Sequence, residues 1–261
     1  MSLYERDYSK VITDEEKNAQ HQYVDYKNQL GIKLANDLRF NHPNVECRKF
    51  LERYNSLFPN NKLDINSLKI LDFPKEIEDY KYIIYKLGDE RAIQSYIKTN
   101  RKWFIPASIF KDYNFGHHDA YLFPEMMLGA EYKVDYALLG QNSDGYSMVF
   151  VEFENANTKF LIDSYNSESE SVRKGIAQIR DWKQWIENHR DYFFQSSGLK
   201  DKKVDIPITR FFYCLVVSTR KKMDERAREV RSRICYEMSN TKIITFDRLA
   251  DNICKFEHSY Y

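Results

Sequence analysis

Long apolar runs are missing from this sequence. No stretch approaches the ~20 consecutive apolar residues of a membrane-spanning helix, and the N-terminal segment MSLYERDYSK lacks the apolar region of a signal peptide. We therefore expect a soluble, cytoplasmic protein with no membrane partner. Cysteine is also scarce: Cys47, Cys214, Cys235 and Cys254 are widely spaced, with no CxxC pair and no Cys/His cluster of zinc-ligand spacing. This spacing argues against a zinc site and predicts free thiols.

Neither sign of charge dominates the whole sequence, but acidic and basic residues are concentrated in different segments. The formal net charge is only +1, which argues against a general polyanion binder. Residues 119–170 nevertheless carry ten acids and two bases, a net of −8, whereas residues 200–233 carry eleven bases and five acids, a net of +6. A phosphodiester hydrolase needs both kinds of surface, carboxylates for a metal ion and Lys/Arg for the phosphate backbone. A solvated helix with paired charges is the structural alternative for the basic segment.

Glycine and proline number only 8 and 6, and no repeat or low-complexity tract is present. Residues 1–90 read as a mostly helical, polar region. From residue 91 the pattern changes to helix, strand hairpin, long helix, buried strand, basic helix and final strand, in which Ser167 and Glu170 resemble a capping box at the start of the long helix. This order predicts an α/β (α+β) domain over residues 91–261, with a mixed sheet flanked by helices.

The strand hairpin of that domain contains three carboxylates. Asp135 lies in the apolar segment KVDYALL, and Glu152 and Glu154 lie in the next one, MVFVEFE, where alternation points both glutamates to the same face. Burying carboxylates is costly unless a cation binds them. The pattern therefore predicts a cluster of oxygen ligands of the kind that Mg²⁺ or Mn²⁺ prefers, with Asp135, Glu152 and Glu154 as candidate metal ligands.

A second polar row lies on the long helix. Lys174 and Gln178 are four residues apart and share a helix face, so Lys174 could stabilise charge on the phosphate and Gln178 could hold water or phosphate. Lys133, two residues before Asp135, is a rival for the lysine role, and Glu131 is a further candidate ligand. Gly175 inside this helix costs ~1 kcal/mol relative to alanine, which suggests a close approach to the sheet.

The runs GAEYKVDYALL, VFVEFEN and VRKGIAQIRDWKQWIEN together resemble the C-terminal nuclease domain of Shedu anti-phage defence proteins, a branch of the PD-(D/E)XK superfamily. The resemblance implies a restriction-endonuclease-like fold, Asp135 and Glu152 as metal-binding acids, DNA as the partner and assembly into a homo-oligomer. It also implies a regulatory or sensing role for the N-terminal region. At position 154 the superfamily usually has a catalytic lysine, whereas this chain has glutamate.

Three outcomes are open at that position. Glu154 could bind a second metal, Lys174 or Lys133 could take the place of the lysine, or the site could be inactive. The first hypothesis is therefore an Mg²⁺-dependent deoxyribonuclease of bacterial immunity, with Asp135, Glu152, Glu154, Lys174 and Gln178 as its catalytic residues. The alternative is an inactive nuclease-fold protein that binds DNA or a protein partner.

Overall fold

The computed structural model describes residues 2–64, 68, 71–162 and 167–257. The chain divides into two compact units, residues 2–64 and residues 65–261. The sequence pattern placed this boundary near residue 90. The segment between the two positions belongs to the larger unit because Tyr80 is fully buried and its hydroxyl donates to the carbonyl oxygen of Phe246, at 3.3 Å.

The smaller unit contains three helices, α1 (Asp14–Gln29), α2 (Ile32–Asn41) and α3 (Val45–Tyr54). A capping box starts α1, with Thr13 accepting from the backbone of Glu16 and Glu16 accepting from the backbone of Thr13. Gly31, at φ 89°, separates α1 from α2. The helices pack around a small apolar core that consists of Tyr8, Ala19, Tyr23, Ala35, Cys47, Phe50 and Leu51.

The larger unit begins with helices. They are α4 (Phe73–Tyr82), a π-helical turn (Ile83–Leu87), α5 (Glu90–Thr99) and the short α6 (Phe104–Ala107), which continues as a 3₁₀ turn (Ser108–Asp112). Gly88, whose φ is 63°, ends the π-helical turn, and Asp89 then caps α5 by accepting from the backbone of Ala92.

A mixed sheet follows, with further helices around it. The elements are β1 (Asp119–Leu128), β2 (Tyr132–Asn142), β3 (Gly145–Phe153), the short strands β4 (Leu161–Ile162) and β5 (Ser167–Glu168), α7 (Glu170–Ser196), β6 (Phe211–Val216), α8 (Glu225–Glu237), β7 (Thr241–Ile244) and α9 (Phe246–Cys254). Five strands form one sheet in the order β1-β2-β3-β6-β7, and β4 pairs with β5. The pairs β1/β2 and β2/β3 are antiparallel, and β3/β6 and β6/β7 are parallel. The predicted fold class, a mixed sheet flanked by helices, is confirmed.

Helix α7 covers one face of this sheet. Its Trp182 is 1% exposed, and Phe193 packs edge-on against Phe150 of β3 and Phe211 of β6. The predicted capping box at its start is wrong. Ser169 is the N-cap residue, whereas Ser167 lies in β5 and pairs with β4, so it is not available to the helix.

Candidate active site

The sheet brings Asp135 and Glu152 to neighbouring positions. The last register pair between β2 and β3 is Tyr136 with Val151, so the next step places Asp135 opposite Glu152. Glu152 also pairs with Leu215 of β6, and residues paired across a sheet point to the same face. The predicted antiparallel hairpin is confirmed, and its two acids lie on one face.

Asp135 is half-buried and accepts a hydrogen bond from the backbone N–H of Phe153, with 2.8 Å between Oδ2 and N. Burial raises the pKa of Asp135 to about 6, and the nearby charges of Glu90 and Glu154 act in the same direction, whereas the Phe153 N–H opposes them. Part of this carboxylate is therefore already used to hold the end of β3.

Glu152 is 5% exposed and has no ion-pair partner within 4.0 Å in the part of the chain that the structure describes. Burial, together with the negative charges of Asp135 and Glu154, raises its pKa to about 9, whereas Lys174 lowers it. A buried carboxylate with so little compensation is costly. Glu152 therefore stays protonated at neutral pH unless a cation binds beside it.

Glu154 follows β3 directly and is 1% exposed. Its backbone N–H extends the β3/β6 ladder by donating to Val216, at 2.9 Å. The Nζ of Lys174 lies 3.0 Å from Glu154 Oε1 and forms an ion pair with this buried oxygen. Burial raises the pKa of Glu154, and Lys174 lowers it.

Gly175 allows this contact between helix and sheet. A Cβ atom at this position would lie 2.4 Å from Cδ1 of Leu215 and 3.3 Å from Cγ of Glu154. The close approach expected from the sequence is therefore present. Because of this close approach, α7 packs directly against the strand ends, and the side chain of Lys174, which is 55% exposed, contacts the buried Glu154.

Gln178 lies one turn after Lys174 on α7 and is half-buried. Its Oε1 is buried and has no hydrogen-bond partner in the described part of the chain. This oxygen is a buried acceptor without a donor, on the helix face that also carries Lys174. Buried acceptors of this kind ordinarily bind water, an ion or a ligand.

The two alternative residues lie elsewhere. Lys133 Nζ is 3.2 Å from Oε1 of Glu125 on β1, and Lys98 of α5 is 3.0 Å from the same oxygen. Glu131 is exposed in the turn between β1 and β2. Of the two candidate lysines, Lys174 is the one in contact with an acid of the hairpin.

Sequence reasoning missed Glu90, the first residue of α5. Its carboxylate lies 3.9 Å from Lys174 Nζ and raises the pKa of Asp135, Glu152 and Glu154. Its backbone N–H donates to Oδ1 of Asn155, at 3.1 Å, and this bond joins the start of α5 to the chain just after β3. An acid at a capped helix start was visible in the sequence, but its distance along the chain from the hairpin concealed the contact.

In the part of the chain that the structure describes, the side-chain positions do not form a three-ligand metal centre. Across residues 2–64, 68, 71–162 and 167–257, no group of three or more His, Cys, Asp or Glu side chains is arranged to hold a metal ion. The Phe153 N–H holds Asp135, and Lys174 holds Glu154. Within the same residues, no helix is both long and apolar enough to cross a membrane.

Comparison with known proteins identifies the segment that carries this site. A family model described as "Shedu protein SduA, C-terminal" matches residues 88–250, which is more than half of the chain and includes every residue of the site. A search of curated proteins finds no match. Among solved structures, the restriction endonuclease FokI bound to DNA is similar, with a TM-score of 0.36 and 11% identity over 72% of this chain and 30% of the FokI chain. The chain thus spans less than a third of FokI, and so weak a similarity gives no information about the site.

Proposed function

Because this chain belongs to the Shedu family, we propose that it is a metal-dependent DNA endonuclease that cuts or nicks foreign DNA in bacterial anti-phage defence. One observation carries the proposal. Inside the segment that the family model matches, Asp135 and Glu152 lie opposite each other on one face of the sheet, and Lys174 is ion-paired with the neighbouring buried Glu154. Carboxyl groups with strongly raised pKa values beside a cation are typical of functional sites.

The donor chemistry of this face fits Mg²⁺ or Mn²⁺, because both ions prefer carboxylate oxygens. The buried Glu152, which has no ion-pair partner within 4.0 Å among the described residues, is the observation that favours such an ion. Asp135 and Glu152 would hold it. A bound ion would polarise the phosphate group and lower the pKa of a bound water molecule.

The residues of the chain would perform the remaining tasks. Glu152, whose pKa is about 9, would release its proton as the ion binds, so affinity should rise with pH. Lys174 is 55% exposed, so its ammonium can contact a phosphate oxygen while Glu154 fixes its position. Gln178 Oε1 would accept a hydrogen bond from a water molecule. In this proposal Lys174 supplies the cation that the superfamily usually places at position 154.

A second candidate function is DNA or protein binding without cleavage. The ion pair between Lys174 and Glu154 favours it, since that pair partly compensates the buried charge without any metal. The absence of a three-ligand group among the described residues points the same way.

Plasmid cleavage separates the two functions. Supercoiled and linear DNA are incubated with the purified protein in Mg²⁺, in Mn²⁺ and in EDTA, and DNA binding is measured on the same samples. We expect nicked or linear product only with a metal ion. Persistent DNA binding with no metal-dependent product would support the binding function instead.

The lysine role has its own matched test. Lys174→Met removes the charge beside Glu154, whereas Lys133→Met removes a lysine that contacts Glu125. We expect only the first substitution to lower the cleavage rate. An equal loss in both variants would show that general charge, and not the position of Lys174, matters. We further propose DNA as the partner and a homo-oligomer as the active form, which analytical ultracentrifugation would test.

A further inference from the structure

A cavity of about 670 Å³ lies along β7, the last strand of the sheet. All the residues from 241 to 245 line it, and α8 forms another wall. Lys242 pairs with Cys214, whereas Glu152 pairs with the next residue, Leu215, so Lys242 and Glu152 point to opposite faces of the sheet. The cavity shares no residue with the candidate active site.

The lining is strongly cationic. It includes five basic side chains, Arg220, Arg228, Arg231, Lys242 and Arg248, and one carboxylate, Asp112. Asp112 accepts two hydrogen bonds from Arg248, and its backbone oxygen accepts from Lys242. The wall therefore has more positive charge than its own carboxylate can balance.

Two of these cations remain available. Arg228 and Arg231 lie three residues apart on α8 and so share a face. In the described part of the chain, neither has a carboxylate within 4.0 Å, and the hydrogen bond of Arg228 to the Met223 carbonyl is long, at 3.4 Å. Guanidinium groups placed in this way bind phosphate oxygens in bidentate geometry.

The remaining wall is suited to a small organic ligand. Met223, Cys235, Ile243 and Ile244 supply apolar surface, and the hydroxyl of Thr245 is not used to cap α9. A volume near 670 Å³ falls in the range of small-molecule sites, ~300–1,000 Å³. Apolar surface beside the two neighbouring arginines, Arg228 and Arg231, fits a nucleotide, with its base on the apolar surface and its phosphates at the arginines.

A long polyanion fits less well. Arg220, at the same cavity, is already paired with Asp251, which is 41% exposed. Glu229, on α8, is 61% exposed and pairs with Arg226. These exposed acids would repel a DNA backbone running along the surface. We propose that this cavity binds a small phosphorylated ligand of nucleotide size, separately from any DNA bound at the acids.

Calorimetric titration tests this assignment. ATP, pyrophosphate, inorganic phosphate and a short DNA duplex are each titrated into the full chain in EDTA, so that cleavage does not interfere and the result is independent of nuclease activity. The variant Arg228→Gln/Arg231→Gln is compared with Arg226→Gln/Arg233→Gln. The control pair lies on the same helix with the same loss of charge, but is 53% and 64% exposed and paired with glutamates.

We expect ATP to bind the wild type, to bind the first variant at least about tenfold more weakly, and to bind the control unchanged. Thermal unfolding without ligand checks that each variant folds. If the first variant does not fold, Ser232→Glu places a negative charge at an exposed position of the same wall and should weaken binding equally.

Three results would overturn the proposal. One is the absence of binding of ATP, pyrophosphate and phosphate to the wild type. Another is an equal loss in both double variants, which would indicate a general charge effect. The last is a loss confined to the DNA duplex, which would make the cavity part of a DNA-binding surface.

Discussion

Replacing Glu152 by glutamine has an effect on stability that follows directly from the structure. Burial and the charges of Asp135 and Glu154 raise the pKa of Glu152 from 4.5 to about 9 in the folded chain. Between these two values the folded chain holds a proton that the unfolded chain has released. The free energy of unfolding should therefore fall as pH rises, by up to ~1.4 kcal/mol per pH unit from this residue alone.

The sign follows from the raised pKa. The contribution is fully present below the unfolded value of 4.5 and is lost as pH rises through the folded value of about 9. Glutamine has no proton to lose. Between about pH 6.5 and about pH 8.5, the wild type should lose roughly 2 to 3 kcal/mol of unfolding free energy that Glu152→Gln keeps.

Urea unfolding in EDTA, followed by tryptophan fluorescence, measures this difference. Trp103, Trp182 and Trp185 all lie in the larger unit, so the signal reports the unit that contains the site. Glu131→Gln is the matched control, since Glu131 is exposed in a turn. If the wild type and Glu152→Gln lose stability in parallel over this pH range, the reasoning about Glu152 is refuted.

Three further predictions follow from single contacts. Lys174→Met should slow cleavage in the plasmid assay while DNA binding in EDTA changes little, and unaltered cleavage would exclude Lys174 from the site. Gly175→Ala should destabilise the larger unit by ~1–3 kcal/mol in urea, since the new Cβ would lie 2.4 Å from Leu215, and a neutral result would show that α7 can shift. Tyr136→Phe should cost ~1–3 kcal/mol, because Gln94 Oε1 would lose its buried 2.6 Å hydrogen bond, and equal stability would show that Gln94 finds another partner.

The sequence predicted the centre of the sheet better than its edges. The alternating residues of β3 and the continuous apolar run of β6 were sufficient to predict these two strands, because the burial of a strand determines its local hydrophobic pattern. Strand β1 was missed because Pro124 interrupts its sequence pattern, and the backbone of Glu125, at φ 54°, is irregular at the same place. The final strand is short: it ends at Ile244, because Thr245 is the N-cap residue of α9.

The candidate site was predictable where its residues are close in sequence. Hairpin register brings Asp135 opposite Glu152, and helix periodicity pairs Lys174 with Gln178. The contact of Lys174 with Glu154 could not be predicted, because it depends on the tertiary approach of α7 at Gly175. The contribution of Glu90 was hidden for the same reason, since α5 reaches the hairpin only in the folded chain.

The most direct test of the proposed function is the rate of plasmid cleavage in Mg²⁺ by the wild type, Asp135→Asn, Glu152→Gln and the control Glu131→Gln, with folding checked on each sample. We expect cleavage by the wild type and the control, and a loss of at least about a hundredfold in the two site variants, because a metal-holding group is removed. Cleavage by Glu152→Gln at the wild-type rate would contradict the assignment of this face as the active site.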